Sequence, residues 1–324
     1  MRRLPVIDRL RRHWFTLGLL GVIALALFGF SSPASGVLVP LGIWIIFLSQ
    51  GMVMGKGAAK TGQNWRGTLA FVLSWNFLLF PILTVSLLLL TGLWGQSEFC
   101  FGYWLLAFLP TTIASAVAMT AAAEGRVGYA LLATVSSNLL AVWVVPAAAV
   151  FYLAIEIQIE IAFLPLVLRI ISLIVLPLII GYGLRRLELP STLALAGMAR
   201  PLTQGVLLFI IFASFSRSVA SGQLADLGPG SILELLLICG ALLLLVSVAV
   251  WFSAGRCGFD RRERVAAFYC ASQKSLATGV PVIGFVLLAV GPENASALTL
   301  LPILFYSPMQ LLLGGLLLPH LSKE

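Results

Sequence analysis

Long apolar runs follow one another along the whole chain, and only short polar links separate them. Each run is close to the roughly 20 residues that an α-helix needs to cross the hydrocarbon core of a bilayer. The pattern therefore predicts ten transmembrane helices and leaves no room for a separate soluble domain. These helices are predicted at residues 14–32, 36–55, 68–92, 102–122, 127–153, 161–184, 201–220, 231–254, 265–290 and 295–319.

The composition agrees with an all-α polytopic membrane protein that forms a single unit over residues 1–324. The chain is 60% hydrophobic and only 10% charged, and a soluble protein of this length needs more charge to cover its surface. Its net charge of +8 arises from arginines and lysines that lie almost entirely in the N-terminal arm and in every second link. The positive-inside rule then predicts a multi-pass protein of the plasma (inner) membrane with both termini in the cytoplasm. The charge has a topological explanation, so the lipid bilayer is the expected partner and nucleic acid is not.

Two other interpretations of the sequence are weaker. The arginine-rich start followed by an apolar run also resembles a signal peptide, but the run is longer than the usual h-region and no A-x-A site follows it. We therefore expect the first helix to be retained. The cysteines show no paired spacing, and no hydrolase, zinc-protease or phosphate-loop motif is present, so neither an enzyme nor a cofactor is indicated.

Ten helices divide into two groups of five near residue 156. Because five is odd, the second group must enter the membrane from the opposite side. A structural repeat would therefore be inverted, as is common in secondary transporters.

Helices 4 and 9, which correspond in this repeat, both carry an unusual polar interruption. Helix 4 contains Pro110-Thr-Thr-Ile-Ala-Ser-Ala116, and helix 9 contains Ser272-Gln-Lys-Ser275 followed by Thr278-Gly-Val-Pro281. Prolines also kink ordinary transmembrane helices, and that simpler explanation applies to either helix alone. Mirrored interruptions are the better pointer to a transporter binding site, so we predict that both helices are broken.

Lys274 lies near the predicted midplane of helix 9, where an ammonium costs on the order of 2.5 kcal/mol or more. Such residues usually mark a substrate or ion pathway. The lysine could replace a coupling cation, pair with an anionic substrate, change its protonation state, or extend to the cytoplasmic interface.

The predicted binding residues are the polar side chains at and around the two interruptions. They are Lys274, Gln273, Ser272, Ser275, Thr111, Thr112, Ser115, Asn76, Ser136 and Asn138. Ser74, Ser137 and Gln310 are secondary candidates. For Asn76 and Asn138, hydrogen bonding between helices is as good an explanation as a role in binding.

The interrupted segments, together with Ser136-Ser137-Asn138, give the chain a resemblance to the bile acid:sodium symporter (SBF-like) superfamily. It is most similar to the divergent branch related to solute carrier family 10 member 7. The resemblance implies a panel domain at 14–55 and 161–220, and a core domain at 68–153 and 231–319 in which broken helices 4 and 9 cross. It also implies sodium ligands, which match Asn76, Ser115, Ser136 and Gln273 in this sequence.

The chain departs from the family pattern at three of the expected ligand positions. Tyr269 stands where the family has a glutamate, and Lys274 and Ala116 stand where it has asparagines. Both expected sodium sites therefore lose ligands, and coupling to Na⁺ or H⁺ is left open.

The favoured hypothesis is a secondary active transporter of a small organic anion that works by alternating access, with Lys274 replacing a coupling cation. One alternative is a sodium-coupled symporter of organic anions. Another is a regulator of calcium homeostasis that has a transporter fold and carries no flux.

Overall fold

The described part of the chain is built from helices. The computed structural model describes residues 17–31, 35–54, 65–156, 171–187, 190–220, 222, 227–290 and 297–321, and every regular element in these ranges is helical. The α-helices are α1 (Leu17–Leu27), α2 (Ser35–Met54), α3 (Trp65–Ser74), α4 (Phe80–Leu90), α5 (Cys100–Phe108), α6 (Ala114–Ala122), α7 (Val127–Glu156), α8 (Leu176–Arg186), α9 (Pro190–Ala220), α10 (Pro229–Arg256), α11 (Arg261–Ser272), α12 (Leu276–Val290) and α13 (Leu301–Leu321).

Three short π-helical or 3₁₀ turns adjoin these α-helices. A π-helical turn at Trp75–Leu79 joins α3 to α4, and another at Ile171–Val175 leads into α8. A 3₁₀ turn at Ala297–Leu300 precedes α13.

Five helical segments of the described chain are long and apolar enough to cross a membrane. They are Trp65–Leu90, Val127–Ile155, Pro201–Ala220, Pro229–Arg256 and Ala297–Leu321. Large apolar side chains cover the outside of these helices, which is the arrangement that lipid-facing surfaces need. The described part of the chain is therefore all-helical, and the chain is a multi-pass membrane protein.

The described helices agree with the predicted spans where the two can be compared. Each predicted span contains helical residues, although parts of several spans, including 14–16, 161–170 and 295–296, lie outside the described residues. The predicted helices 4 and 9 each consist of two separate shorter helices. The number of membrane crossings and the inverted repeat stay predictions.

Helix α2 packs closely against both α8 and α9. Glycines allow the tight contact with α8: a Cβ on Gly51 would lie 2.2 Å from the carbonyl oxygen of Leu178, and one on Gly181 would lie 2.1 Å from that of Leu48. Close backbone approach at small residues is a common way for transmembrane helices to associate. This group belongs to the predicted panel domain, and the division into panel and core stays a prediction.

The turn between α6 and α7 is tied to the start of α11 by charged residues. Asp260 caps α11 by accepting a hydrogen bond from the N–H of Glu263 at 2.8 Å, and the Glu263 side chain returns a bond to the N–H of Asp260. The guanidinium of Arg126 contacts the carboxylate of Asp260 at 2.5 Å. The main-chain N–H of Arg126 donates to the carbonyl of Arg262 at 3.0 Å. The C-terminal end of α6 and the N-terminal end of α11 are therefore held together.

Candidate binding site at two broken helices

The first break lies between α5 and α6. Helix α5 ends at Phe108, Leu109 is extended with φ −64° and ψ 147°, and α6 begins at Ala114. Pro110 explains the geometry because the residue before a proline is pushed out of the helical region. Ser115 and Ala116, which the sequence placed in the interruption, lie in the first turn of α6 instead.

The second break lies between α11 and α12 and is shorter than the polar pattern predicted. Helix α11 ends at Ser272, Gln273 is extended, and α12 begins at Leu276. The hydroxyl of Ser275 caps α12 by accepting a hydrogen bond from the N–H of Thr278 at 3.2 Å. The segment from Thr278 to Pro281, which the polar pattern placed in the interruption, lies within α12.

The two breaks contact each other directly. The N–H of Ser275 donates to the carbonyl oxygen of Pro110 at 2.7 Å. Oε1 of Gln273 lies 2.9 Å from the hydroxyl of Ser115 and 3.2 Å from that of Thr112, and those two hydroxyls also contact each other. The two hydroxyl protons can form two of these three hydrogen bonds at a time. The structure therefore brings the two predicted interruptions together.

The ammonium group of Lys274 lies inside the protein, and its residue has 0% of its surface exposed. Nζ donates to the carbonyl oxygens of Ala107 at 2.8 Å, Leu109 at 2.9 Å and Asn76 at 3.2 Å. An ammonium has three donors, so these carbonyls satisfy all of them. Lys274 does not extend to the interface, and in this conformation it has no donor left for an anionic substrate.

Each of these carbonyls is free for a structural reason. Ala107 lies in the last turn of α5, where carbonyls have no helical partner, and Leu109 is in the break. In an α-helix, the carbonyl of Asn76 would accept the N–H of Phe80, but the π-helical turn directs that N–H to Trp75. The Phe80 ring also lies under the ammonium, with Nζ 4.0 Å from the ring centre.

Gln310 on α13 holds the main chain of Lys274 on both sides. Its Oε1 accepts the N–H of Lys274 at 2.6 Å, and its Nε2 donates to the Lys274 carbonyl at 2.8 Å. The side chain amide thus replaces the helical partners that the break removes. Gln310 was only a secondary candidate in the sequence, where a single polar residue in an apolar helix gives no indication of its partner.

Helix α7 bridges the two breaks through Asn138. Its Nδ2 donates to the carbonyl of Thr111 at 2.9 Å, and its Oδ1 accepts from the hydroxyl of Thr278 at 2.7 Å. One amide therefore contacts the first break and the start of α12. Thr278 was missing from the predicted binding set, although it lies in the polar segment that singled out helix 9.

Asn76 and Ser137 form the contact between the π-helical turn and α7. Nδ2 of Asn76 donates to the Ser137 hydroxyl at 3.2 Å and to the Cys270 carbonyl at 3.3 Å. The Ser137 hydroxyl also accepts the N–H of Thr111 at 3.3 Å. The structure therefore gives these contacts to Ser137, while the predicted ligand Ser136 is half-buried at the neighbouring position and makes none of them.

Three of the four predicted sodium ligands fall into two groups, and Ser136 belongs to neither. Ser115 and Gln273 contact each other and Thr112, whereas Asn76 contacts Ser137 on the other side of the break. Tyr269, which replaces the family glutamate, donates its hydroxyl to the Gly314 carbonyl at 3.0 Å. Among the described residues, no cluster of three or more His, Cys, Asp or Glu side chains could hold a metal ion.

A family model supports the same class of protein independently of this geometry. Residues 13–323 match the model of the SBF-like CPA transporter family, and the chain belongs to that family. It is therefore a membrane transporter, and its family is not one of enzymes. This assignment confirms the resemblance that the interrupted segments indicated.

Similar proteins are found in bacteria and vertebrates. The chain is 29% identical to protein PA2026 of Pseudomonas aeruginosa and 28% identical to YfeH of Escherichia coli, whose name gives it as a candidate symporter; each alignment covers 96% of this chain and 93% of the relative. It is 26% identical to the sodium/bile acid cotransporter 7 of Danio rerio, over 98% of this chain and 96% of the relative. Such transporters imply a small-molecule solute.

Proposed function

We propose that this chain is a secondary active transporter of a small organic anion, in which the Lys274 ammonium takes the place of a coupling cation. One observation carries the proposal: three main-chain carbonyls surround Nζ of Lys274 at the crossing of two broken helices. Transport would proceed by alternating access, with the α2, α8 and α9 group moving against the rest. The membrane would be the plasma (inner) membrane, with both termini in the cytoplasm.

The surroundings of Nζ resemble a cation site in chemical terms. Carbonyl oxygens are hard ligands of the kind that alkali and alkaline-earth cations take. Here the three carbonyl oxygens bind the ammonium of Lys274, a cation that is covalently attached to the protein. A second cation at that position would be repelled strongly at low dielectric, so the lysine makes a bound sodium ion unnecessary there.

The anionic character of the solute is supported by the helix ends at the crossing. Helices α6 and α12 both begin there, at Ala114 and Leu276, and a helix N-terminus favours negative charge. The hydroxyls of Thr112 and Ser115 are half-buried beside them, and they would donate to an anion that displaces Oε1 of Gln273. Relatives named as bile acid cotransporters suggest the same class of solute, since bile acids are organic anions. Lys274 would neutralise the partial negative charge of the three carbonyl oxygens that surround Nζ, and it would not contact the solute.

A sodium-coupled symporter is the second candidate. It is favoured by the mutual contact of three side-chain oxygens, on Thr112, Ser115 and Gln273, which could become ligands of Na⁺. A regulator of calcium homeostasis without flux rests on the sequence resemblance alone.

Uptake of labelled organic anions into liposomes that contain the purified protein tests the proposal. A panel of solutes, including a bile acid, would be measured in potassium buffer without sodium. We expect saturable uptake of at least one anion, and loss of that uptake in Lys274→Gln. Arg256→Gln, at the exposed end of α10, is the control and should transport normally. Uptake that is unchanged in Lys274→Gln would contradict the proposed role of the lysine.

A further inference from the structure

A cavity of about 320 Å³ lies between α10, α11 and α13. This volume falls at the lower end of the range for small-molecule sites, about 300–1,000 Å³. Most of its lining is apolar and includes Leu244 and Trp251 of α10, Phe268 of α11, and Leu313 and Leu317 of α13. None of the lining residues belongs to either helix break. The cavity is therefore separate from the proposed solute site.

The cavity is long, narrow and open to the membrane side of α10. Leu244 and Trp251 both line it and are two turns apart, so it extends about 10 Å along the helix axis. Val248 and Phe252, which also line it, are 54% and 59% exposed. A protein helix is about 10 Å wide and does not fit into a cavity of this volume and length. A single hydrocarbon chain fits both the shape and the apolar lining.

Two arginines of α11 border the end of the cavity where α13 finishes. Nη2 of Arg264 donates to the carbonyl oxygen of Trp251 at 3.1 Å, and its guanidinium lies 4.0 Å from the centre of the Trp251 ring. Nη2 of Arg261 donates to the carbonyl oxygen of Leu321 at 2.9 Å. Because Trp251 and Leu321 both line the cavity, each guanidinium is attached to its wall.

The charges of these two arginines are not neutralised by the protein. Within the described ranges every ion pair involves Arg126, which contacts both Asp260 and Glu263 at the start of α11. The described partners of Arg261 and Arg264 are neutral carbonyls and an aromatic ring. A guanidinium has five N–H donors, so these contacts leave donors for an anion. The cavity thus combines an apolar interior with a positively charged end.

We propose that this cavity binds an anionic phospholipid of the surrounding bilayer, with one acyl chain inside and the phosphate at Arg261 and Arg264. Guanidinium groups bind phosphate through paired hydrogen bonds, and Trp251 lies between chain and headgroup, where tryptophans are enriched at membrane interfaces. In the predicted topology this end faces the cytoplasm, where basic pockets between helices take up anionic headgroups. The bound lipid would join α10, α11 and α13. This site does not depend on which solute or ion is transported.

Native mass spectrometry of the purified protein tests the charged end of the site. Phosphatidylglycerol, which is anionic, and zwitterionic phosphatidylcholine with the same acyl chains would each be titrated into the detergent solution. We expect tighter binding of phosphatidylglycerol, and about fivefold weaker binding of it in Arg264→Gln, with phosphatidylcholine unaffected. Arg66→Gln is the matched control, because its guanidinium also lies over a tryptophan, 5.3 Å from the Trp65 ring, but away from the cavity. Equal binding of phosphatidylglycerol by the parent chain and Arg264→Gln would overturn the proposal.

A second pair of variants tests the apolar interior. Val248→Trp fills the cavity and should abolish the preference for phosphatidylglycerol, whereas Leu245→Trp, at an exposed position outside the lining, should keep it. Thermal midpoints close to that of the parent chain would show that the variants fold. Unchanged binding in Val248→Trp would overturn the proposal, and so would displacement of the lipid by inorganic phosphate alone. A dimer of the parent chain that Val248→Trp dissociates would show that a second copy covers the cavity instead.

Discussion

The N–H of Ser275 donates to the carbonyl oxygen of Pro110 at 2.7 Å, so one main-chain hydrogen bond joins the two broken helices. Proline breaks the first helix, and Ser275 is the residue whose side chain caps the helix after the second break. Each break therefore supplies a main-chain group that the other needs. Irregular backbone can persist at membrane depth when its polar groups are satisfied inside the protein in this manner.

Replacing Lys274 by Met should destabilise the protein. Methionine has a similar length but no donors, so three buried carbonyls lose their partner, at about 1–3 kcal/mol for each unsatisfied group before relaxation. We expect the thermal midpoint in detergent to fall clearly, measured by the fluorescence of a thiol-reactive or intrinsic probe. Arg256→Met, on the exposed end of α10, should melt like the parent chain. Equal midpoints for Lys274→Met and the parent chain would show that the carbonyl contacts contribute nothing.

Two glycines on the same helix give a matched test of the contact between α2 and α8. A Cβ on Gly181 would lie 2.1 Å from the Leu48 carbonyl, whereas one on Gly183 would meet nothing within 4 Å. Gly181→Ala should therefore force the helices apart and cost about 1–3 kcal/mol, as overpacking usually does. Gly183→Ala should be neutral or slightly stabilising, because alanine favours the helix. Thermal midpoints of the two variants would be compared, and equal effects would contradict the close contact.

The stability of the turn at Asp260 should depend on acid pH. Burial opposes the charge, but hydrogen bonds from Arg126 and from the backbone of Glu263 outweigh it and hold the pKa of Asp260 below its ordinary value. A lowered pKa means that the folded state favours the carboxylate. The stabilisation is therefore present at neutral pH and is lost as the pH falls through the folded-state pKa.

Two variants separate the two roles of Asp260. Asp260→Ser keeps a capping hydroxyl and removes the ion pair, whereas Asp260→Ala removes both, at an added cost of about 1 kcal/mol for the cap. The difference in thermal midpoint between the parent chain and Asp260→Ser should shrink as the solution is acidified. A difference that grows in acid would mean that the sign of the pKa shift is wrong.

Much of the site could be predicted because its signals are local in sequence. Pro110 and the polar run around Lys274 mark breaks wherever they occur in an apolar helix, and their mirrored placement indicated that they meet. The partners of Lys274 could not be predicted, since they are main-chain carbonyls that become free through a π-helical turn and a helix end. The same limit applies to Ser136 and Ser137: adjacent serines have equal side chains, and only the rotation of α7 decides which one reaches the break.

The response of the thermal midpoint to sodium tests the central claim most directly, namely that the Lys274 ammonium takes the place of a coupling cation. The thermal midpoint of the purified protein would be measured while sodium chloride replaces potassium chloride at constant ionic strength. Because the Lys274 ammonium already binds the three carbonyls of Ala107, Leu109 and Asn76, sodium should give no stabilisation beyond that of potassium. A saturable rise in the midpoint with sodium alone would mean that a sodium ion binds despite the lysine, and would contradict the claim.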